Sequence, residues 1–347
     1  MNPVIKKDID FILDNLKGVD KIKNKTFLIT GANGMLPAYL VETLLSINNL
    51  YNDANIKVIA WVRNLKKAES KFIDLKSNHF FSILEKDVCE THDFDCKIDY
   101  IIHAASQASP KYYNIDPVGT LSANILGTIN LLNIARKQNV DSFLFFSSGE
   151  VYGEVDEKQV PIKEDTFGYL NPINVRSCYA ESKRMGENIC ISWYHQYGVK
   201  VKIVRPFHTY GPGMALDDGR VFADFVSNIL QKRDIVLKSD GSARRAFCYV
   251  ADATLGFLTT LLHGENGNVY NVGNPYQELS VLELAKILVD IKPELKLEVV
   301  FSENSNKDYL KSSIKINSPN VDKIKSIGWT PTITAKEGFT RTINSFE

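Results

Sequence analysis

Residues 25–47 constrain the fold more than any other stretch. Residues 25–30 (Lys-Thr-Phe-Leu-Ile-Thr) read as a short buried strand. Gly31-Ala32-Asn33-Gly34-Met35-Leu36-Pro37 reads as a turn, and residues 38–47 as a helix. A strand that passes through a glycine turn directly into a helix opens a parallel, crossover-connected sheet. Gly31 allows the tight turn. Gly34, flanked by Asn33 and Met35, lets the backbone approach a pyrophosphate at the helix N-terminus. The third glycine of the usual pattern is replaced by Pro37, which a first helical turn tolerates because its missing N–H has no partner there.

The alternation continues. Strands are expected at 56–62, 81–85, 98–103, 142–147 and 200–205, with long helices at 117–138 and about 174–196. This predicts an α/β fold: a Rossmann-type, doubly wound parallel sheet with a smaller α/β C-terminal substrate lobe. Ligands of such sheets sit at the carboxyl ends of the strands. The glycine turn, Asp87-Val88, Ala104-Ala105-Ser106 and the Ser147–Glu150 run all fall at such ends. His103 reads as a packed strand-end histidine. The second strand ends in Trp61-Val62-Arg63-Asn64, where an acid would bind the ribose of NAD. A guanidinium there favours NADP, whose 2′-phosphate needs a cation; stacking of Arg63 on adenine is the other reading.

A chain of 347 residues suits two lobes. Residues 1–20 are expected to form an amphipathic helix, with Ile5, Ile9, Ile12, Leu13 and Leu16 on one side, packed on its own domain. The nucleotide-binding domain is assigned to 21–205 plus about 243–268. The substrate lobe is assigned to about 206–242 plus 269–347, the crossing falling at Pro206–Gly213. Basic and acidic residues balance to a net charge of zero, which speaks against a nucleic-acid surface or a polybasic membrane anchor. No apolar run is read as a membrane span. Five cysteines without a C-x-x-C pair read as reduced thiols of a cytoplasmic protein. No metal site is assigned.

Tyr179 and Lys183 stand four residues apart on one face of the second long helix. An ammonium beside a phenol favours phenolate, which makes Tyr179 a candidate general base with Lys183 as its electrostatic support.

Together these residues resemble the extended short-chain dehydrogenase/reductase family that modifies nucleotide sugars, from about residue 25 onward. The likeness is best over 143–250, where it is closest to UDP-glucuronate decarboxylases. It is carried by Phe146-Ser147-Ser148-Gly149-Glu150-Val151-Tyr152-Gly153, Arg176-Ser177-Cys178-Tyr179-Ala180-Glu181-Ser182-Lys183-Arg184, Asp218-Gly219-Arg220-Val221 and Arg245-Ala246-Phe247-Cys248-Tyr249-Val250. The resemblance implies NAD or NADP held by the turn residues, Arg63, Asp87, Val88, Ala104, Ala105, Ser106, Pro206, Tyr179 and Lys183. It implies that Tyr179 takes the proton of a sugar 4-hydroxyl, that Ser148 hydrogen-bonds the same oxygen, and that Lys183 holds the nicotinamide ribose. Arg220 and Arg245 would clamp a nucleotide diphosphate. Asn124 would be a structural or sugar-side polar residue, His208 would lie on the sugar side, and Glu150 would serve as base after oxidation.

A 4-ketone opens three routes: decarboxylation, epimerisation, or dehydration across C5–C6. Gly149-Glu150 stands where 4,6-dehydratases carry an Asp-Glu pair, so the acid of that route is missing. Gly149 also replaces a serine of the decarboxylases and His208 an asparagine. The late arginine of the family has only Lys311 near it. A decarboxylase acting on a UDP-sugar is the leading reading, a 4-epimerase or 4,6-dehydratase the alternative. A cofactor-binding scaffold without turnover and a simple NADPH-consuming reductase are the readings of other classes. The family also implies a homodimer pairing helices 117–138 and 174–196, and a role in polysaccharide synthesis.

Overall fold

The computed structural model describes residues 1–302 and 315–347. Helix α1 (Pro3–Asn15) is capped by the Asn2 side chain and leads to β1 (Thr26–Thr30). Then follow α2 (Met35–Leu50), β2 (Lys57–Val62), α3 (Leu65–Lys71), β3 (Phe81–Glu85), β4 (Tyr100–His103), α4 (Pro117–Gln138), β5 (Ser142–Phe146), α5 (Cys178–Tyr197) and β6 (Val201–Pro206). The strands from β1 to β6 form one parallel sheet in the order β3-β2-β1-β4-β5-β6. The order reverses between β1 and β4, and the crevice at their carboxyl ends is where such sheets bind dinucleotides.

Beyond β6 the chain makes β7 (Thr209–Tyr210), α6 (Val221–Leu230), β8 (Ile235–Leu237), β9 (Arg244–Ala246), β10 (Cys248–Tyr249), α7 (Val250–His263), β11 (Asn268–Val272), β12 (Glu278–Ser280), α8 (Val281–Val289), β13 (Val299–Phe301), β14 (Ile316–Asn317), α9 (Asp322–Ser326) and α10 (Ala335–Asn344). Two lobe boundaries differ from the expectation. Strand β11 lies beside β6 as the seventh strand of the parallel sheet, with Tyr270 opposite Val204, although residues from 269 onward were assigned to the other lobe. Residues 244–246, assigned to the nucleotide-binding domain, sit instead in a small sheet between β12 and β14. Residues 244–249 are divided at Phe247: the first half pairs with β12, the second with β7.

Helix α4 is the longest. Asp116 caps it by accepting from the Gly119 amide, and Asn139 ends it in the left-handed conformation. By length and composition this helix is apolar enough to cross a membrane, contrary to the expectation that no run would be. Here it packs on β4 and α5 and buries Thr120, Ala123, Asn124, Gly127 and Leu131. The close α4–α5 approach is visible at Gly186, where a Cβ would come 3.1 Å from the Asn124 carbonyl oxygen.

Helix α1 packs on α2, α7 and α10, which explains its apolar face. It also carries a fully buried carboxylate. Asp8 accepts hydrogen bonds from Tyr39 (2.9 Å) and Tyr249 (2.6 Å), and pairs with Arg341 of α10 at 2.8 Å. Burial holds the Asp8 carboxyl above its ordinary range against the lowering effect of those three donors.

Candidate active site

A cleft of about 1730 Å³ runs along the carboxyl ends of the strands and into the smaller lobe. Pockets for one small ligand are about 300–1,000 Å³, so this one accommodates two. Its floor is built by β1 and β4. Gly31 has φ +63°, and a Cβ there would lie 2.7 Å from the Ala105 Cα and 3.0 Å from its nitrogen. Only glycine lets the turn rest on the Ala104–Ala105 backbone. The Ala105 amide donates to the Thr30 hydroxyl at 3.2 Å, which holds the two strand ends together. Gly34 is the N-cap of α2 and leaves the first amides of that helix facing the cleft. Asn33, Met35, Arg63, Asp87 and Val88 line the same end, and Ser106 and Pro206 lie deeper. This cradle of free amides beside a backbone that admits no Cβ fits a dinucleotide pyrophosphate.

The middle of the cleft holds Ser148, Glu150, Tyr179 and Lys183. Ser148 leaves β5 in an extended conformation and its hydroxyl accepts from the Glu150 amide at 3.1 Å. Lys183 is 2% exposed and donates to the Phe146 carbonyl at 2.6 Å. Its Nζ lies 5.8 Å from the centroid of the Tyr179 ring. The expected lowering of the phenol is not present. Burial pushes Tyr179 up to about 12, against the hydrogen-bonding influence of Ser148, with the charge of Glu150 adding to the rise and that of Arg220 opposing it. Burial likewise pulls Lys183 down to about 7. Two groups sealed from water each resist their charged form.

At the far end, Arg220 precedes α6 and Arg245 lies on β9. Arg220 is paired with Asp218, Nε lying 2.8 Å from Oδ2. His208 lines the cleft between them, its pKa depressed well below the ordinary value by burial and then by Arg245 and Arg220. It is therefore a neutral hydrogen-bonding group. Lys311 lies outside the described residues.

One expected site residue is not at the site. Asn124 is fully buried behind α5, its side-chain amide donating to Ser182 Oγ at 2.9 Å; Ser182 in turn donates to the Tyr179 carbonyl at 2.9 Å. It steadies the helix that carries Tyr179 and does not reach the sugar side. His103 is buried and bonded to Thr30 at 2.8 Å, as a packed strand-end histidine should be. Sequence reasoning missed Tyr113, whose ring stacks on Tyr179 at 5.4 Å and 14°. It also missed Asp218 and the Arg205–Glu187 pair described below. Nothing periodic marks these positions; the turn Ser109-Pro110 before Tyr113 is the only local signal.

Comparison with known proteins agrees with this geometry. Residues 27–273 match the model of the NAD dependent epimerase/dehydratase family. The chain belongs to this family. Within the family it is 34% identical to UDP-glucuronic acid decarboxylase 6 of Arabidopsis thaliana, over 91% of this chain and 87% of that one. It is 31% identical to UDP-glucuronic acid decarboxylase 1 of Xenopus tropicalis, over 95% and 74%. A UDP-glucose 4-epimerase from Thermotoga maritima shares the family fold with a TM-score of 0.77 at 23% identity, over 92% of this chain and 98% of that one. The Rossmann-type sheet and the smaller lobe are thus those of an NAD-dependent enzyme family.

Proposed function

We propose that the chain decarboxylates a nucleotide sugar that carries a C5 carboxylate, a UDP-sugar of the glucuronate type. The observation that carries this reading is the convergence of Ser148, Glu150, Tyr179 and Lys183 between a dinucleotide cradle and the Arg220/Arg245 end of one cleft. The decarboxylase relatives, matched over nearly the whole chain, support the choice of reaction.

When bound, the nicotinamide supplies a hydride acceptor for the sugar C4 and returns that hydride later, so turnover consumes no net cofactor. Gly31, Gly34 and the amides of α2 would hold its pyrophosphate, and Lys183 would hold its ribose. Tyr179 takes the proton of the C4 hydroxyl and gives it back at the end. Ser148 orients that oxygen. A ketone at C4 is an electron sink for the C5–carboxylate bond: carbon dioxide leaves, and the pair of the broken bond stays on the sugar, delocalised into the C4 ketone as an enolate. Glu150 is placed to manage the proton that C5 then receives. Arg220 exchanges Asp218 for the diphosphate, a ligand matched to its planar fork. Arg63 and the absence of an acid at the end of β2 support NADP at the adenine end. A second copy of the chain is the proposed partner of α4 and α5, where Val118, Leu126, Met185 and Ile191 are exposed; light scattering reads the dimer, and a monomer at micromolar concentration would end that proposal.

The deciding experiment incubates the purified protein with a panel of nucleotide sugars, UDP-glucuronate included, and reads products by mass spectrometry. Loss of carbon dioxide is expected. Loss of water would mean a dehydratase, and an unchanged mass with a new stereoisomer an epimerase. The cofactor released from the same sample, NADP or NAD, tests the role given to Arg63.

A further inference from the structure

A buried ion pair stands directly behind the catalytic groups and is used by none of the steps above. Arg205, at the end of β6, holds Glu187 of α5 in a two-point grip, with Nε 2.8 Å from Oε1 and Nη2 2.7 Å from Oε2. The two side chains are only 7% and 13% exposed. Glu187 also accepts from the hydroxyl of Ser147, the residue before Ser148. Arg205 reaches further, donating from Nη1 to the Glu164 carbonyl at 2.9 Å and lying 4.6 Å over the Tyr152 ring. Tyr152 in turn donates to Asn271 on β11 at 2.5 Å.

The sequence positions give this network its meaning. Glu187 stands one helical turn after Lys183 and two turns after Tyr179, on the same side of α5. Ser147 precedes Ser148 at the end of β5. Arg205 precedes Pro206 and His208 at the end of β6. One charge pair therefore ties together the three chain segments that deliver the groups at the centre of the cleft. The neighbouring contacts fix the same helix against the same turn: Lys183 on the Phe146 carbonyl, and Arg184 on Val151 at 2.6 Å and Gly168 at 2.8 Å. A buried ion pair is poor at adding stability, since apolar side chains of like volume commonly do as well; its use lies in fixing one arrangement.

We propose that the Arg205–Glu187 pair is a positioning device that sets where the Ser148 hydroxyl and the Lys183 ammonium stand relative to Tyr179. The two residues touch neither substrate nor cofactor and act through Ser147, Ser148 and Lys183. The charge of Glu187 also bears on Lys183, opposing the effect of burial. The inference rests on the function proposed above, so its test includes a readout that needs no substrate.

The experiment compares wild type with E187Q and with the paired apolar replacement E187L/R205M, which leaves no lone buried charge and so is the variant expected to fold. The substrate-free readout is an ultraviolet pH titration from which the same background carrying Tyr179→Phe is subtracted, isolating one phenol. Ser148, Glu150, Arg220, Lys183 and the stacked Tyr113 face that phenol, and all are kept. The Tyr179 titration is expected to move to higher pH in E187L/R205M, because the lowering contact of Ser148 is displaced. In turnover, kcat should fall about 100-fold, the cost of an ångström-scale misplacement, with KM nearly unchanged. An unshifted Tyr179 titration in the folded double variant overturns the proposal whether or not a substrate has been found. Wild-type kcat with only a lower Tm, or a raised KM at unchanged kcat, would also overturn it. A wild type that turns over none of the sugars counts against the proposed function, and the titration still decides the positioning role.

Discussion

Tyr179→Phe is expected to lower kcat about 1,000-fold while leaving the fold and the bound cofactor intact. That is a loss of about 4 kcal/mol of transition-state stabilisation, the scale of removing a positioned proton acceptor. The phenylalanine ring can keep the stack on Tyr113, and the hydroxyl is the only group removed. The pH profile gives a second handle. Burial draws Lys183 down to about 7 and pushes Tyr179 up to about 12. The form needed for chemistry, a lysine ammonium beside a phenolate, carries the same number of protons as neutral lysine beside neutral tyrosine. Losing one proton from the fully protonated pair therefore creates the active state. The kcat/KM of the wild type should rise through about pH 7 and level off above it. That apparent value belongs to the pair. Steady-state kinetics across about pH 5.5–9, a range that brackets the lower value and stays below the upper one, checks this, and a profile falling with pH over that range would show that another group controls the proton.

Asp8→Ala is expected to cost about 3 kcal/mol of stability, read by urea denaturation, with no direct effect on the cleft. The mutation strips three donors of their acceptor: the Tyr39 and Tyr249 hydroxyls, which stay buried, and Arg341, which is part-exposed and recovers some hydration. Asp8→Asn should cost much less, because burial already makes the charged form the expensive one. The sign of the pH effect follows. The folded pKa is raised above the unfolded value near 4, so the contribution from this group is full below that pH and is lost as pH rises through the folded value. An Asp8→Asn variant as unstable as Asp8→Ala would show that the charge on Asp8 is itself stabilising.

Much of the fold was legible because its signals are local. The strand, glycine turn and helix of residues 26–50 declare themselves within one stretch, and the strand ends at Asp87, Ala104 and Ser148 follow from the alternation. The errors lie where partners are distant. Residues 268–272 complete the main sheet only by meeting β6, some sixty positions earlier, and no local pattern says so. The division of 244–249 between two sheets is likewise set by its partners. The family likeness left Asn124 either structural or on the sugar side, and its partner, Ser182 of the neighbouring helix, decides for the structural role. The mutual effect of Tyr179 and Lys183 was read from spacing, and burial, which spacing does not report, reversed its direction. Tyr113, Glu187 and Arg205 carry ordinary residue types in unremarkable positions, and only the folded chain brings them to the site; Asp218 falls in a stretch that carries the family likeness, but its pairing with Arg220 shows only in the fold.

The Asp8–Arg341 contact joins residues 333 positions apart, the first helix to the last. On a ribosome adding about 5–20 residues per second, roughly 20–70 s separate the two. Helices α2 and α7 are made well within that interval and can cover the apolar side of α1, and the Tyr39 and Tyr249 hydroxyls can already reach Asp8. Only the cation is still to come. The newborn chain thus passes through a stage in which the first helix is seated but its buried carboxylate has no counter-charge, a stage that α10 ends by delivering Arg341.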